Sequence, residues 1–382
     1  MSNTQTKNVP ELRFPGFEGE WEEKKLGNLT TKIGSGKTPK GGSENYTNKG
    51  IPFLRSQNIR NGKLNLNDLV YISKDIDDEM KNSRTYYGDV LLNITGASIG
   101  RTAINSIVET HANLNQHVCI IRLKKEYYYN FFGQYLLSRK GKRKIFLAQS
   151  GGSREGLNFK EIANLKIFTP TIFEEQQKIG QFFSKLDQQI ELEEQKLELL
   201  QQQKKGYMQK IFSQELRFKD ENGEDYPDWE NSKIEKYLKE RNERSDKGQM
   251  LSVTINSGII KFSELDRKDN SSKDKSNYKV VRKNDIAYNS MRMWQGASGK
   301  SNYNGIVSPA YTVLYPTQNT SSLFIGYKFK THRMIHKFKI NSQGLTSDTW
   351  NLKYKQLKNI NIDIPVLEEQ EKIGDFFKKW IY

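Results

Sequence analysis

The chain has 382 residues and carries 61 Lys+Arg against 45 Asp+Glu, a formal net charge of +16. That length suits two or three domains, and 35% hydrophobic with 11% aromatic residues argues against wholesale disorder. A single cysteine, Cys119, excludes a disulfide framework or a Cys-based zinc cage. No stretch approaches the roughly 20 apolar residues of a membrane span, and the N-terminus lacks the apolar core of a signal peptide. These features point to a soluble, cytoplasmic protein whose natural partner is a polyanion.

Glu11-Leu-Arg-Phe14 and Trp21 open the first half, and both return later in the chain. Gly34-Ser-Gly-Lys-Thr-Pro39 follows, with glycines that let a backbone approach phosphate closely and Lys37 and Thr38 as candidate contacts. It is not a nucleotide-binding P-loop, which needs glycine where Thr31 stands. In Arg55-Ser-Gln-Asn-Ile-Arg60, the side chains Arg55, Gln57, Asn58 and Arg60 are of types that bond base edges. Each such bidentate bond discriminates by about 1–3 kcal/mol. The glycine-rich Gly96-Ala-Ser-Ile-Gly100 adds Ser98, with Arg101 and Arg154 beyond it. His111 and His117 flank an expected strand, Val118–Arg122, and read as core histidines. Arg139-Lys-Gly-Lys-Arg-Lys144 grips phosphates or solubilises a helix end; it does not read sequence.

Residues 173–213 predict one long helix, with Pro170 before it and Thr171 able to cap it. Ile179, Phe183, Leu186, Ile190, Glu193, Leu197, Leu200, Lys204, Tyr207 and Ile211 step alternately by four and three, the spacing of a coiled-coil seam. At about 1.5 Å per residue the helix is a rod of roughly 60 Å.

Beyond the rod the first half repeats, with a period of about 195 residues. Glu174-Glu-Gln-Gln-Lys-Ile-Gly-Gln-Phe-Phe183 returns as Glu368-Glu-Gln-Glu-Lys-Ile-Gly-Asp-Phe-Phe377, identical at eight of ten positions. Leu157–Pro170 matches Leu352–Pro365, Glu215-Leu-Arg-Phe218 and Trp229 answer the opening words, and Gly296-Ala-Ser298 answers Gly96-Ala-Ser98. Residues 37–87 and 231–283 share almost nothing, so a common frame holds two different inserts. Arg292, Trp294 and Gln295, with Ser298 and Lys300, are the second half's candidate DNA contacts. Ile373, Phe377 and Trp380 reproduce the first seam positions. An intact second helix would need about 25 further residues, so the second helix reads as truncated.

The expected architecture is therefore mixed α/β (α+β). Residues 1–172 form one globular domain, 173–213 the helical spacer, 214–365 a second domain, and 366–382 the start of a second spacer helix. Residues 1–172 hold 26 basic and 16 acidic side chains, net +10; residues 173–213 hold 6 and 7; residues 214–382 hold 29 and 22, net +7. Two basic bodies on a neutral rod suit duplex DNA, where Lys and Arg displace condensed counterions.

No catalytic constellation assembles. His332 and His336 stand four apart, but Arg333 occupies the place of the zincin glutamate, and no metal site is expected. The adenine methyltransferase tetrapeptide, Asn/Asp-Pro-Pro-aromatic, is absent. Pro227-Asp228 lies in the turn leading to Trp229, not in a nuclease motif. The chain is expected to recognise rather than react.

With these repeats assembled, the chain resembles the specificity (S) subunit of type I restriction-modification systems over nearly its whole length. The strongest words are Glu-Glu-Gln-x-Lys-Ile-Gly-x-Phe-Phe at 174–183 and 368–377, and Gly88-Asp-Val-Leu-Leu-Asn-Ile-Thr-Gly-Ala-Ser-Ile-Gly100. The resemblance implies two target-recognition domains, each reading half of a split, asymmetric site, and paired helices that act as a ruler. It implies two modification subunits that bind S-adenosylmethionine and methylate adenine. Two ATP- and Mg-dependent motor-nuclease subunits would complete the restriction enzyme, with no cofactor in this chain. A self-contained DNA-cleaving enzyme and a coiled-coil adaptor that binds no DNA remain the alternatives.

Overall fold

The computed structural model describes residues 8–149, 156–266 and 274–380. It divides into two compact units, Met1–Gln195 and Lys196–Tyr382, each mixing helix and strand. The first unit runs β1 (Glu22–Lys25), α1 (Leu26–Leu29), β2 (Thr30–Ser35), β3 (Ile51–Leu54), β4 (Val70–Ile72), α2 (Lys74–Glu79), β5 (Arg84–Thr85), β6 (Val90–Asn93) and β7 (Thr102–Ile104). It continues with β8 (Ala112–Leu114), β9 (Val118–Leu123), α3 (Tyr129–Leu137), α4 (Arg139–Leu147), α5 (Phe159–Asn164) and β10 (Lys166–Thr169); the long α6 (Phe173–Phe212) begins in this unit and ends in the second. The second unit runs β11 (Glu230–Lys233), β12 (Leu238–Glu240), β13 (Leu251–Thr254), β14 (Gly258–Lys261), β15 (Lys279–Val281), β16 (Ile286–Asn289), β17 (Ser298–Lys300) and β18 (Gly305–Val307). It ends with β19 (Tyr311–Pro316), α7 (Ser322–Lys328), α8 (His332–Asn341), α9 (Tyr354–Leu357), β20 (Asn361–Ile364) and α10 (Leu367–Lys378).

The repeat is a repeat of topology. The first unit's antiparallel sheet has the order β2-β9-β6-β7, and the second's has the order β12-β19-β16-β17. In each unit the first strand pairs with the last, Glu22 with Thr169 and Glu230 with Ile364, closing the domain before its helix begins. Strand side chains alternate between faces, and both faces of these sheets are covered. Val90, Leu92, Cys119 and Ile121 face the helical layer with Phe131, Phe132 and Leu136, while Leu91, Ala103 and Ile120 face the insert with Leu54, Ile59 and Leu114. In the second unit Ile286, Tyr288 and Leu314 join Phe324, Phe329 and Phe338, and Ala287 and Val313 join Leu251, Val253 and Ile259. The divergent inserts thus sit on the face opposite the shared helices. They differ in architecture: β4-β3-β8-β5 makes a second four-stranded sheet, whereas β13-β14 and β15-β18 are two ribbons.

The recurring words form a socket that seats each helix on its domain. Glu175 is fully buried at the start of α6, and Arg13 donates to both its oxygens at 2.7 Å. Arg217 does the same for the buried Glu369, at 3.2 and 2.7 Å. Such charges stay buried only when paired and hydrogen-bonded. Gln176 accepts from the Tyr128 amide (2.9 Å) and donates to the Pro170 carbonyl (3.0 Å). Gln370 accepts from the Ser321 amide (2.9 Å) and donates to the carbonyls of Pro365 (2.8 Å) and Asn319 (3.2 Å). Gly180 allows close approach, because a Cβ there would lie 2.8 Å from the Phe131 nitrogen. Each half therefore carries the same two-part lock, an arginine in Glu-Leu-Arg-Phe and a Glu-Gln pair in the helix.

The helix itself is one uninterrupted element of 40 residues. Its expected seam divides into ends and middle. Ile179 packs on the first unit's core and Ile211 is buried in the second's. Phe183, Leu186, Ile190 and Leu197 are exposed, Leu200 is half-buried, and Tyr207 meets Phe376 edge-on at 5.5 Å and Trp380 at 5.8 Å. Ile373 and Phe377 are both 0% exposed in the second unit's core, which also holds Ile211 and Phe212 of α6, and Phe377 stacks on Phe212 at 5.9 Å, so α10 meets the end of α6 through these residues. Among the described residues no helix is long and apolar enough to cross a membrane.

Candidate nucleic-acid interface

In the first unit the candidate words meet at one end of the sheet. Ser35 pairs with Cys119, Asn93 with Val118 and Leu54 with Leu114, so β2, β3 and β6 all finish at the same edge. Asn93 ties two of the words together: its Nδ2 donates to the Ser56 carbonyl (2.9 Å) and to Ser98 Oγ (3.1 Å). Lys37 is exposed and Thr38 half-buried beside them, and the Lys37 amide donates to the Leu114 carbonyl at 2.9 Å. Arg60 is exposed and Arg101 half-buried.

Other candidates are held by their neighbours. Asn58 is corrected to a structural residue: it is fully buried, accepts from the Arg55 amide (2.9 Å) and donates to the Asn65 carbonyl (2.9 Å). Asp68 anchors the same turn, accepting from Gln57 Nε2, while Arg55 donates to its carbonyl at 2.9 Å and lies over the Tyr46 ring. Gln57 is exposed beside Asp68, whereas Asn58 is enclosed by its own partners. Gly36 also has a role in the fold: its backbone runs so close to Leu114 that a Cβ would sit 1.9 Å from that carbonyl oxygen. Arg154 lies outside the described residues.

The second unit builds the corresponding edge differently. Four more residues separate Asn289 from Gly296-Ala-Ser298 than separate Asn93 from Gly96-Ala-Ser98, and the added length carries Arg292, Trp294 and Gln295, all half-buried. Trp294 meets Trp350 edge-on at 5.2 Å and spends its indole N–H on the Met291 carbonyl (3.1 Å). Lys330 straps this loop from behind, donating to the carbonyls of Gly296 and of Ile255 (2.7 Å) at the β13-β14 turn. Burial pushes its ammonium down to about 8. Ser298 and Lys300 are corrected. Ser298 is 1% exposed, and Lys300 pairs with Ile286 at the other end of β16, its Cβ over Gly326 on the helical face. Ser298 pairs with Tyr288 at the edge end but is enclosed, and Lys300 stands at the opposite end, so neither offers a free side chain at the edge.

Lys330→Met should free the Ser290–Ala297 loop while preserving the side chain's bulk. The two lost bonds are worth about 2 kcal/mol to the strapped state. Faster amide exchange confined to this loop and the 254–258 turn is the expected readout, and unchanged exchange would remove Lys330 from the account.

Three features of the two units escape a reading of the sequence. Thr95 Oγ1 and His117 Nδ1 lie 2.6 Å apart beside Asn93, placing His117 at the edge and not in the core. His111 instead joins Arg84 and Asn113 around the buried Asp77, at 3.0 Å. There burial works to raise the carboxyl pKa, but these hydrogen bonds outweigh it and hold the Asp77 carboxyl below its usual range. At the opposite end of each sheet a bidentate pair braces the frame, Arg122 with Asp89 and Arg241 with Asp285. Gly88 and Asn284, both at positive φ (85° and 74°), make the turns that deliver those carboxylates. Among the described residues no group of three or more His, Cys, Asp or Glu side chains is placed to hold a metal.

A family model, "Type I restriction modification DNA specificity domain", matches residues 18–202 and again 226–382. The chain belongs to this family. A Methanocaldococcus jannaschii protein named as the type I restriction enzyme MjaX specificity subunit is 27% identical over 250 residues, 63% of this chain and 56% of that protein. The Escherichia coli type I restriction enzyme EcoBI specificity subunit is 31% identical over 144 residues, 36% of this chain. The matched stretches thus span about half and 30% of those relatives' lengths. The S subunit of a type I restriction-modification system from M. genitalium shares the fold, with TM-score 0.58 and 14% identity over 94% of this chain and 89% of that one. A chain from a study of assembly and conformational transition of the type I system gives TM-score 0.51 and 16% identity over 97% and 91%. Within the specificity family, then, the repeated match coincides with the repeated frame, and the inserts carry what differs.

Proposed function

We propose that the chain is a sequence-specific reader of duplex DNA in which each unit contacts one half of a bipartite, asymmetric site. The carrying observation is that two copies of one sheet-and-helix frame bear different inserts and different edge loops. Identical edges would favour a palindrome; unlike edges favour unlike halves. Phosphate contacts from the basic units position the duplex, and the edge side chains Lys37, Gln57, Arg60 and Arg101, with Arg292 and Gln295, read it. The chain recognises, and partners react. Two modification subunits would bring S-adenosylmethionine, and two restriction subunits would bring ATP- and Mg-dependent cleavage. The exposed residues Phe183, Leu186, Ile190 and Leu197 on α6 offer an apolar stripe for a partner helix.

In this reading α6 is the ruler. Inserting four residues after Gln203 adds about one turn, roughly 6 Å of rise. The expected result is a recognised site with both half-sequences unchanged and a longer gap between them. An unchanged gap would refute the ruler.

A further inference from the structure

The Gln343–Asn351 loop of the second unit carries a fully exposed apolar tip, and among the described residues no side chain of its own domain covers it. Leu345 is 102% exposed, more than any other large hydrophobic residue among those described. Single exposed leucines are ordinary on protein surfaces, but this one stands at the tip of a loop closed by its own backbone hydrogen bonds. Gln343 and Asn351 exchange both backbone hydrogen bonds, at 3.0 and 2.8 Å. Thr349 closes the turn, its amide and its Oγ1 both donating to the Thr346 carbonyl (3.0 and 2.9 Å). Gly344 is at φ 148°, and a Cβ there would lie 2.6 Å from the Thr349 carbonyl oxygen. The sequence and the backbone together hold Leu345 out on a hydrogen-bonded turn.

The loop also belongs to the reading edge. The Leu352 amide donates to the Ser290 carbonyl at 2.9 Å, and Trp350 meets Trp294. Lys339 lies over the Trp350 ring, 5.8 Å from its centroid. The first unit docks the equivalent segment in the same way: the Leu157 amide donates to the Ile94 carbonyl (3.0 Å), and Gly156 bridges Thr95. A protruding leucine on a hydrogen-bonded turn, flanked by hydroxyl and amide side chains on a basic domain, has the chemistry of a wedge. Such a side chain enters between base pairs from the minor groove and unstacks one step. The loop's carboxylate, Asp348, would suit a base amino group and not a phosphate.

We propose that Leu345 is a base-step wedge, inserted into duplex DNA at or beside the half-site that the second unit reads. This inference rests on the DNA-reading function proposed above. Insertion transfers the isobutyl group from water to the base stack, and it gives this unit a preference for easily unstacked steps that no base-edge contact explains.

The test uses the full chain and duplexes carrying 2-aminopurine at successive positions across the selected site. Wild type should raise the fluorescence at one step within or beside the second unit's half-site and nowhere in the other. Leu345→Ser, at a position with no packing to lose, should melt like wild type, abolish that rise and weaken binding about tenfold. A duplex with an abasic position at the same step should restore most of the lost affinity. Sequence-specific binding with unaltered affinity and fluorescence in Leu345→Ser overturns the wedge alone. A wild-type chain that binds no duplex with sequence preference overturns the proposed function and the wedge together.

Discussion

Gly36→Ala should destabilise the first unit by about 3 kcal/mol or more, because the new methyl meets rigid backbone and not a yielding side chain. Its Cβ would stand 1.9 Å from the Leu114 carbonyl oxygen and 2.5 Å from that of Asn115. Relief requires separating β2 from the β8-β9 connection, to which Gly36 and Lys37 donate backbone bonds. Denaturant unfolding of the full chain should show the first unit's transition moving to lower denaturant while the second's holds. Gly206→Ala, on α6 with nothing within 4 Å, supplies the opposite sign. There the lost glycine flexibility should stabilise by about 0.5–1 kcal/mol. A Gly36→Ala chain as stable as wild type would contradict the close approach.

Gln370→Leu is the second large effect. Leucine nearly fills the volume but makes none of the bonds, so the Ser321 amide and the Asn319 and Pro365 carbonyls lose a partner that is 1% exposed. Buried groups left unmade cost about 1–3 kcal/mol each before relaxation, and a loss of about 3 kcal/mol from the second unit is expected. Gln176→Leu, which strands the Tyr128 amide and the Pro170 carbonyl, should cost about 2 kcal/mol in the first unit. Thermal unfolding of the two variants would check both the order and the locality. Losses under 0.5 kcal/mol would mean that the helix is seated by its apolar face alone.

These two sites show where a sequence is legible and where it is not. Periodicity announced α6, and word-for-word repetition announced the two domains, because both are properties of order along the chain. The purpose of the repeated words was hidden. Arg13 and Glu175 stand 162 positions apart, and only the fold reveals them as one ion pair. Candidate readers chosen by residue type divided by burial: Arg60 and Lys37 remain at the surface, whereas Asn58 and Ser298 are enclosed. Residue type names what a side chain can bond, and strand register decides whether it reaches solvent. Lys300 illustrates the point, lying two residues from Ser298 yet at the other end of β16. The Gln343–Asn351 loop carried no signal beyond polarity, since its tie to Ser290 joins residues far apart in sequence.

Two unlike edges on a repeated frame are proposed to read two unlike half-sites. Enrichment of bound fragments from a random duplex library by the full chain, with and without Lys330→Met, tests this most directly. Two separate blocks of fixed bases of different sequence are expected, divided by a constant run of unspecified positions, and Lys330→Met should blur one block only. A single contiguous block, a palindrome, or equal blurring of both halves would contradict it.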